Sequence, residues 1–188
     1  MLAAAALFLR LHRLILVLVA VLYGLDQASK FIVSRSLDLG QSVPTEGFFR
    51  ITHSYNTGSA FGFFQGQNTP LILASFVGIF ILTWIYRTYP QPGLLLRASL
   101  GLQVAGAMGN LTDRIAHGRV TDFFDVGPWP IFNVADSSIV VGVVLLAWVI
   151  TSGIGRPIQA VDDEEANAVH TPSPGPPELE TTDDDRPS

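Results

Sequence analysis

The stretch RVTDFFDVGPWPIFNVADSSIVVG, residues 119–142, sets three aspartates, Asp122, Asp125 and Asp136, beside an apolar run long enough to enter a membrane. A charged side chain at the centre of a bilayer costs roughly 2.5–3.5 kcal/mol on insertion scales, so acids retained at membrane depth are candidates for function. Two carboxylates that face each other within a few ångströms repel, and with desolvation this raises one pKa while the other stays low. The ionised member of such a pair activates a water, and the protonated member polarises the carbonyl under attack. That is acid–base peptide hydrolysis without a covalent intermediate. By residue type alone the three acids stand equal, and Asp113 is a further rival.

Other polar residues gather with them. Asp26 and Lys30 lie four residues apart, on one face of a helix. Asn56 sits in a polar connection, Asn110, Asp113 and Arg114 follow an apolar segment, and Asn133 precedes the last one. Each has a plain alternative: Asp26 and Lys30 as an ion pair worth a few tenths of a kcal/mol, Asp113 and Arg114 as loop solvation, Asn133 or Asp136 as a helix N-cap. With alternating helix direction, however, all of them arrive at one end of a bundle. The chain has no cysteine, which excludes disulfides, a thiol nucleophile and Cys-ligated metal. His12, His53, His117 and His170 lack metal-ligand spacing, so neither a metal nor a cofactor is expected.

The elements that must position these residues are apolar helices. Only 14% of residues are charged, against about 25% in soluble domains. Four apolar segments, about 14–33, 70–87, 93–110 and 136–153, each approach the roughly 20 residues that a spanning helix needs. The expected fold is an all-α membrane protein of four transmembrane helices. A small β-rich extracytoplasmic subdomain is expected between helices 1 and 2, where GFFRITHSYNTGSAFGFF mixes aromatic and β-branched residues with glycines. Arg10 and Arg13 before the first run resemble the start of a signal peptide, but no small-x-small cleavage site follows and apolar sequence resumes after DQASK. The same two arginines favour cytoplasmic termini. Gly101, Ala105 and Gly109 form a small-residue stripe suited to close helix packing. Residues 1–156 carry a net charge of +3 and residues 157–188 a net of −8. Residues 1–155 are therefore read as the membrane domain and 156–188, rich in acid and proline, as a disordered cytoplasmic tail.

The blocks DQASK (26–30), NTGSAFG (56–62), GNLTDR (109–114), RVTDFFDV (119–126) and FNVADSS (132–138) resemble, in order and spacing, the motifs of bacterial lipoprotein signal peptidases, or signal peptidase II. The likeness runs from about residue 20 to 150. It implies an aspartic endopeptidase of the bacterial cytoplasmic membrane, multi-pass, with its active site at the extracytoplasmic face. Its substrates would be diacylglyceryl-modified prolipoproteins, cut before the lipidated cysteine. It further implies Asp122 and Asp136 as the catalytic pair, with Asp26, Lys30, Asn56, Asn110, Arg114 and Asn133 lining or supporting the site. Asp113 and Asp125 are disfavoured by the same matching. A monomer in contact with membrane lipid is expected, with no nucleic-acid partner. The GPWP segment is shorter than the corresponding loop of many relatives, and Trp129 is a candidate interfacial anchor. A proton or cation transporter is the competing class, but it calls for acids near the bilayer midplane rather than at one edge.

Overall fold

The computed structural model describes residues 2–58, 66–88 and 93–152. The acidic tail expected over 156–188 lies outside them. The elements follow the order α1 (Leu2–Ser36), β1 (Ser42–Val43), β2 (Arg50–Asn56), α2 (Asn68–Thr88), α3 (Leu94–His117), β3 (Val120–Asp125) and α4 (Val134–Thr151). The protein is thus mostly helical with one small sheet.

Among the described residues, three helical stretches are long and apolar enough to cross a membrane: Ile15–Ser36, Asn68–Thr88 and Val134–Thr151. No residue of α2 is fully buried, and only one side of the helix, with Leu82, Ile85 and Tyr86, is partly covered. By contrast α3 is the central element. It packs against α1, α2 and α4, and buries Arg97, Gln103, Asn110 and Asp113 as well as Leu96 and Leu100. Leu96, Leu100 and Val149 form a small core, with Leu82, Ile85, Tyr86 and Leu146 against it. The polar content that keeps α3 out of the apolar class is content it buries.

Small residues allow this packing. Gly101 sits over Ile15, Leu18 and Val19 of α1, and the nearest of these lies 3.4 Å from where a Cβ would stand. Gly109 leaves room for the Asp26 carboxylate, and Gly106 for the backbone of Ala135 on α4. Gly142 of α4 accepts the side chain of Gln103 and the Ser99 carbonyl in the same way. Gly101 and Gly109 of the expected stripe pack against α1, while Gly106 and Gly142 bring α3 against α4.

Several boundaries differ from expectation. Helix α1 extends well before residue 14, and α3 continues to His117 rather than stopping near 110. Asn110, Asp113 and Arg114 are therefore part of α3 and do not follow it. Nothing in GNLTDR breaks a helix, and α3 ends only at Gly118, whose φ of 71° and N–H bond to the Arg114 carbonyl make a left-handed cap. The sheet is also not confined to the connection between α1 and α2. Its order is β1-β2-β3, all antiparallel, and β3 comes from the segment between α3 and α4. A bulge between Ile51 and Ser54 interrupts the β2–β3 ladder. Beyond β3 the chain turns at Gly127 and returns as Phe132, which bonds back to Phe123 and Phe124.

Candidate active site

Asp122 lies mid-strand on β3, and its carboxylate is buried at 2% exposure. Asp136 stands in the first turn of α4. There Asn133 is the N-cap, accepting the Asp136 N–H at 2.9 Å, and the Asp136 carboxylate returns to the Asn133 N–H at 3.3 Å. This capping box satisfies two otherwise orphaned amides at the start of the helix. The cap alternative therefore falls on Asn133, with Asp136 as its reciprocal partner. One oxygen of Asp136 remains for other work.

Asparagine amides join the two carboxylates. Asn133, wholly buried, donates its Nδ2 to Asp122 Oδ1 at 2.6 Å and to Asn110 Oδ1 at 3.1 Å. Asn110 in turn donates to Asp136 Oδ1 at 2.7 Å. Asn56 on β2 donates to Asp122 Oδ2 at 3.0 Å, and its own Oδ1 is fixed by the Gly58 N–H at 2.9 Å. Both carboxylates thus accept from amides that are themselves held. Burial, and next the charge of Asp136, push the Asp122 carboxyl up to about 7, while hydrogen bonds from Asn56 and Asn133 and the Lys30 charge pull the other way.

Beneath the pair lies a buried ionic cluster. Lys30 Nζ contacts Asp26 Oδ2 at 2.8 Å, Asp113 Oδ2 at 3.0 Å and Asn110 Oδ1 at 3.0 Å. The i,i+4 pair of Asp26 and Lys30 exists, but it is buried and shared with α3, unlike a solvated surface pair. Asp26 Oδ1 also accepts the Ala135 N–H at 2.9 Å, another orphan amide of α4. Asp113 accepts the Thr121 N–H at 3.3 Å, one residue before Asp122. Removing Lys30 would leave two buried carboxylates without their cation, a loss of roughly 3–5 kcal/mol for a broken buried pair.

Asp122, Asp136, Asn56, Asn110 and Arg114 line a cavity of about 1070 Å³ together with the apolar Trp129, Ile131, Phe132, Ile139 and Val140. Arg114 Nη2 reaches the Gly58 carbonyl at 3.4 Å at this cavity. A lining that mixes polar and apolar groups suits a chain whose polar and greasy parts meet at one point. Among the described residues no group of three or more His, Cys, Asp or Glu is placed to hold a metal.

Six of the eight residues singled out from the sequence, Asp122, Asp136, Asn56, Asn110, Asn133 and Lys30, fall in one hydrogen-bonded network, and Asp26 joins it through Lys30. Arg114 lines the same cavity without a direct bond to either acid of the pair. Sequence reasoning missed two members. Asp113, read there as solvation or a catalytic rival, is buried on the Lys30 cation, three residues along α3 from Asn110 and so on the same face. Gln27 donates to Asp26, Asp113 and the Gly109 carbonyl, closing the cluster between α1 and α3. Extending α3 through GNLTDR would have exposed the first, but nothing in the spacing marks the second.

Asp125 stands outside this network. Its carboxylate takes Arg50 Nε at 3.0 Å and Nη2 at 2.8 Å, the Thr52 hydroxyl at 2.8 Å and the Gly127 N–H at 3.0 Å. The Gly127 amide foremost, then Thr52 and Arg50, hold it below the usual carboxylate range against the effect of burial.

Residues 18–152 match the family model described as signal peptidase (SPase) II. The chain belongs to the signal peptidase II family. A lipoprotein signal peptidase of Dehalococcoides mccartyi is 44% identical over 138 residues, covering 69% of this chain and 84% of that protein. One of Moorella thermoacetica is 38% identical over 134 residues, covering 71% and 89%. A solved structure described as a bacterial membrane enzyme is also similar, with 30% identity and a TM-score of 0.69 over 73% of this chain and 87% of that one. Membership of the signal peptidase II family makes the chain a membrane protease that acts in lipoprotein processing, and the matched span holds the whole network.

Proposed function

We propose that the protein removes signal peptides from diacylglyceryl-modified prolipoproteins, cutting before the lipidated cysteine with a water activated by Asp122 and Asp136. One observation carries the reading: the buried Asp122 carboxylate and the half-buried Asp136 carboxylate open on a single cavity and are tied to each other through Asn133 and Asn110. In this reading the pair shares one proton, held on Asp122 near neutral pH. The ionised partner takes a proton from water as its oxygen bonds to the scissile carbonyl carbon, and Asp122 protonates the carbonyl oxygen. Collapse of the tetrahedral species passes a proton to the departing nitrogen. The products are a signal peptide with a free carboxylate and a lipoprotein with an N-terminal cysteine.

In this reading the apolar lining residues Trp129, Ile139 and Val140 take the lipidated side of the cleavage point, and the polar lining residues Asn56 and Arg114 take the peptide backbone. In the proposed topology all four helices span the cytoplasmic membrane, with both termini cytoplasmic and the sheet outside. Helix α3 tolerates its charges by burying them among the other three. Residues 1–155 form the catalytic domain of a monomer, and 156–188 are an acidic tail without a part in the chemistry. The test is the purified protein in detergent with a prolipoprotein peptide, with and without the diacylglyceryl group. Mass spectrometry should find cleavage before cysteine for the lipidated form only. Equal cleavage of both forms, or ion conduction without cleavage, would sink the reading.

A further inference from the structure

We propose that Asp125 is a positioning residue for the reaction, pinning the register of the sheet so that Asp122 meets Asn56 and Asn133. This deepens the reading of Asp122 and Asp136 as the catalytic pair and rests on it.

The need for a pin comes from the bulge. Between the pairs Ile51↔Phe124 and Ser54↔Asp122, β2 carries one residue more than β3. A bulge that moves along the strand by one position re-aims the side chains it passes, because successive residues point to opposite faces. With a one-residue register error between β2 and β3, Asn56 on β2 would turn away from Asp122. Backbone bonds alone do not decide which residue is the extra one.

Asp125 decides it from three directions. It stands opposite Arg50, and the guanidinium grips it through both Nε and Nη2. Both nitrogens converge on Oδ2, a charge-assisted contact that holds that oxygen beside Arg50. The hydroxyl of Thr52, which lies within the bulge, donates to the same carboxylate, and Ser42 Oγ on β1 is 2.8 Å from that hydroxyl. One carboxylate therefore ties all three strands together at the bulge. Its other oxygen takes the Gly127 N–H and shapes the turn that returns the chain to Phe132 and Asn133. Through β3 it sets Asp122, and through the turn it sets the asparagine that bridges Asp122 to Asn110. It is not among the residues that line the cavity.

The experiment compares Asp125→Asn, Arg50→Gln, Arg50→Lys and the double variant Arg50→Gln/Asp125→Asn on the lipidated substrate, with thermal unfolding of each. Misplacement of a catalytic group by about 1 Å can cost about 100-fold. We expect Asp125→Asn to lower kcat roughly 10–100-fold with KM changed by less than about threefold. The alkaline limb of the pH profile should move upward, because a displaced Asp122 loses the Asn56 bond that favours its ionised form. The double variant should be no slower than the worse single one, since both remove the same pin. Arg50→Lys should recover part of the loss seen in Arg50→Gln. A lowered Tm with wild-type kcat and an unmoved pH limb in the folded Asp125→Asn protein would overturn the proposal. Asp122→Asn and Asp136→Asn are run beside them. If those two are inactive while Asp125→Asn turns over normally, only the pin is wrong. Turnover by either of the two would instead remove the catalytic reading itself.

Discussion

Asp122 is a buried acid whose pKa is set by opposing neighbours, and this makes its behaviour with pH predictable. Burial and Asp136 hold the proton on, and Asn56, Asn133 and Lys30 favour its loss. If the pair works with one proton, kcat/KM falls as pH rises through about 7. Asn56→Ala removes a bond to the carboxylate, so the folded-state pKa rises and that alkaline limb moves to higher pH. The pH dependence of kcat/KM for wild type and variant checks the sign, and a limb that moves to lower pH contradicts it. At this scale the sequence was partly legible. Asp122, Asp125 and Asp136 were equal by residue type, and only the ordered motifs separated them. Asp113 was passed over because helix α3 was read as ending near residue 110, which took Asp113 off the face that carries Asn110.

Packing of α3 against its neighbours depends on glycines whose roles differ sharply. A Cβ at Gly106 would run into the Ala135 carbonyl, and backbone cannot swing aside as a flexible side chain can. A Cβ at Gly101 would meet Ile15, Leu18 and Val19 at 3.4–3.7 Å, ordinary contact distances. Gly106→Ala should therefore cost roughly 1–3 kcal/mol through overpacking, while Gly101→Ala stays near wild type. Thermal unfolding in detergent reads both, and equal Tm values for the two variants would contradict the packing described. The stripe of Gly101, Ala105 and Gly109 was visible as spacing within one segment. Gly106 and Gly142 were not, because their meaning depends on how two helices register in space. Strand β3 escaped for the same reason, since its partner β2 lies some seventy residues earlier.

Seen whole, the site belongs to no single element. Lys30 comes from α1, Asn56 from β2, Asn110 from α3, Asp122 from β3 and Asp136 from α4, and the cavity opens where they converge. Three of the four apolar segments read from composition are helices long and apolar enough to cross a membrane, because a membrane imposes length and hydropathy directly. The central place of α3 was not legible, since its polar residues look like a loss of membrane character until the other helices are seen to cover them. Such an assembly makes a sharp demand on the two acids. If they act as one unit, neutralising either should remove nearly all catalysis while leaving the fold in place, as residues that work together are strongly non-additive. The measurement is turnover of a diacylglyceryl-modified prolipoprotein peptide by Asp122→Asn, Asp136→Asn and the double variant, each shown folded by thermal unfolding. Each single variant should fall about 1,000-fold or more, and the double variant no further than the slower single one. Normal turnover by either single variant would contradict the shared role of the two acids.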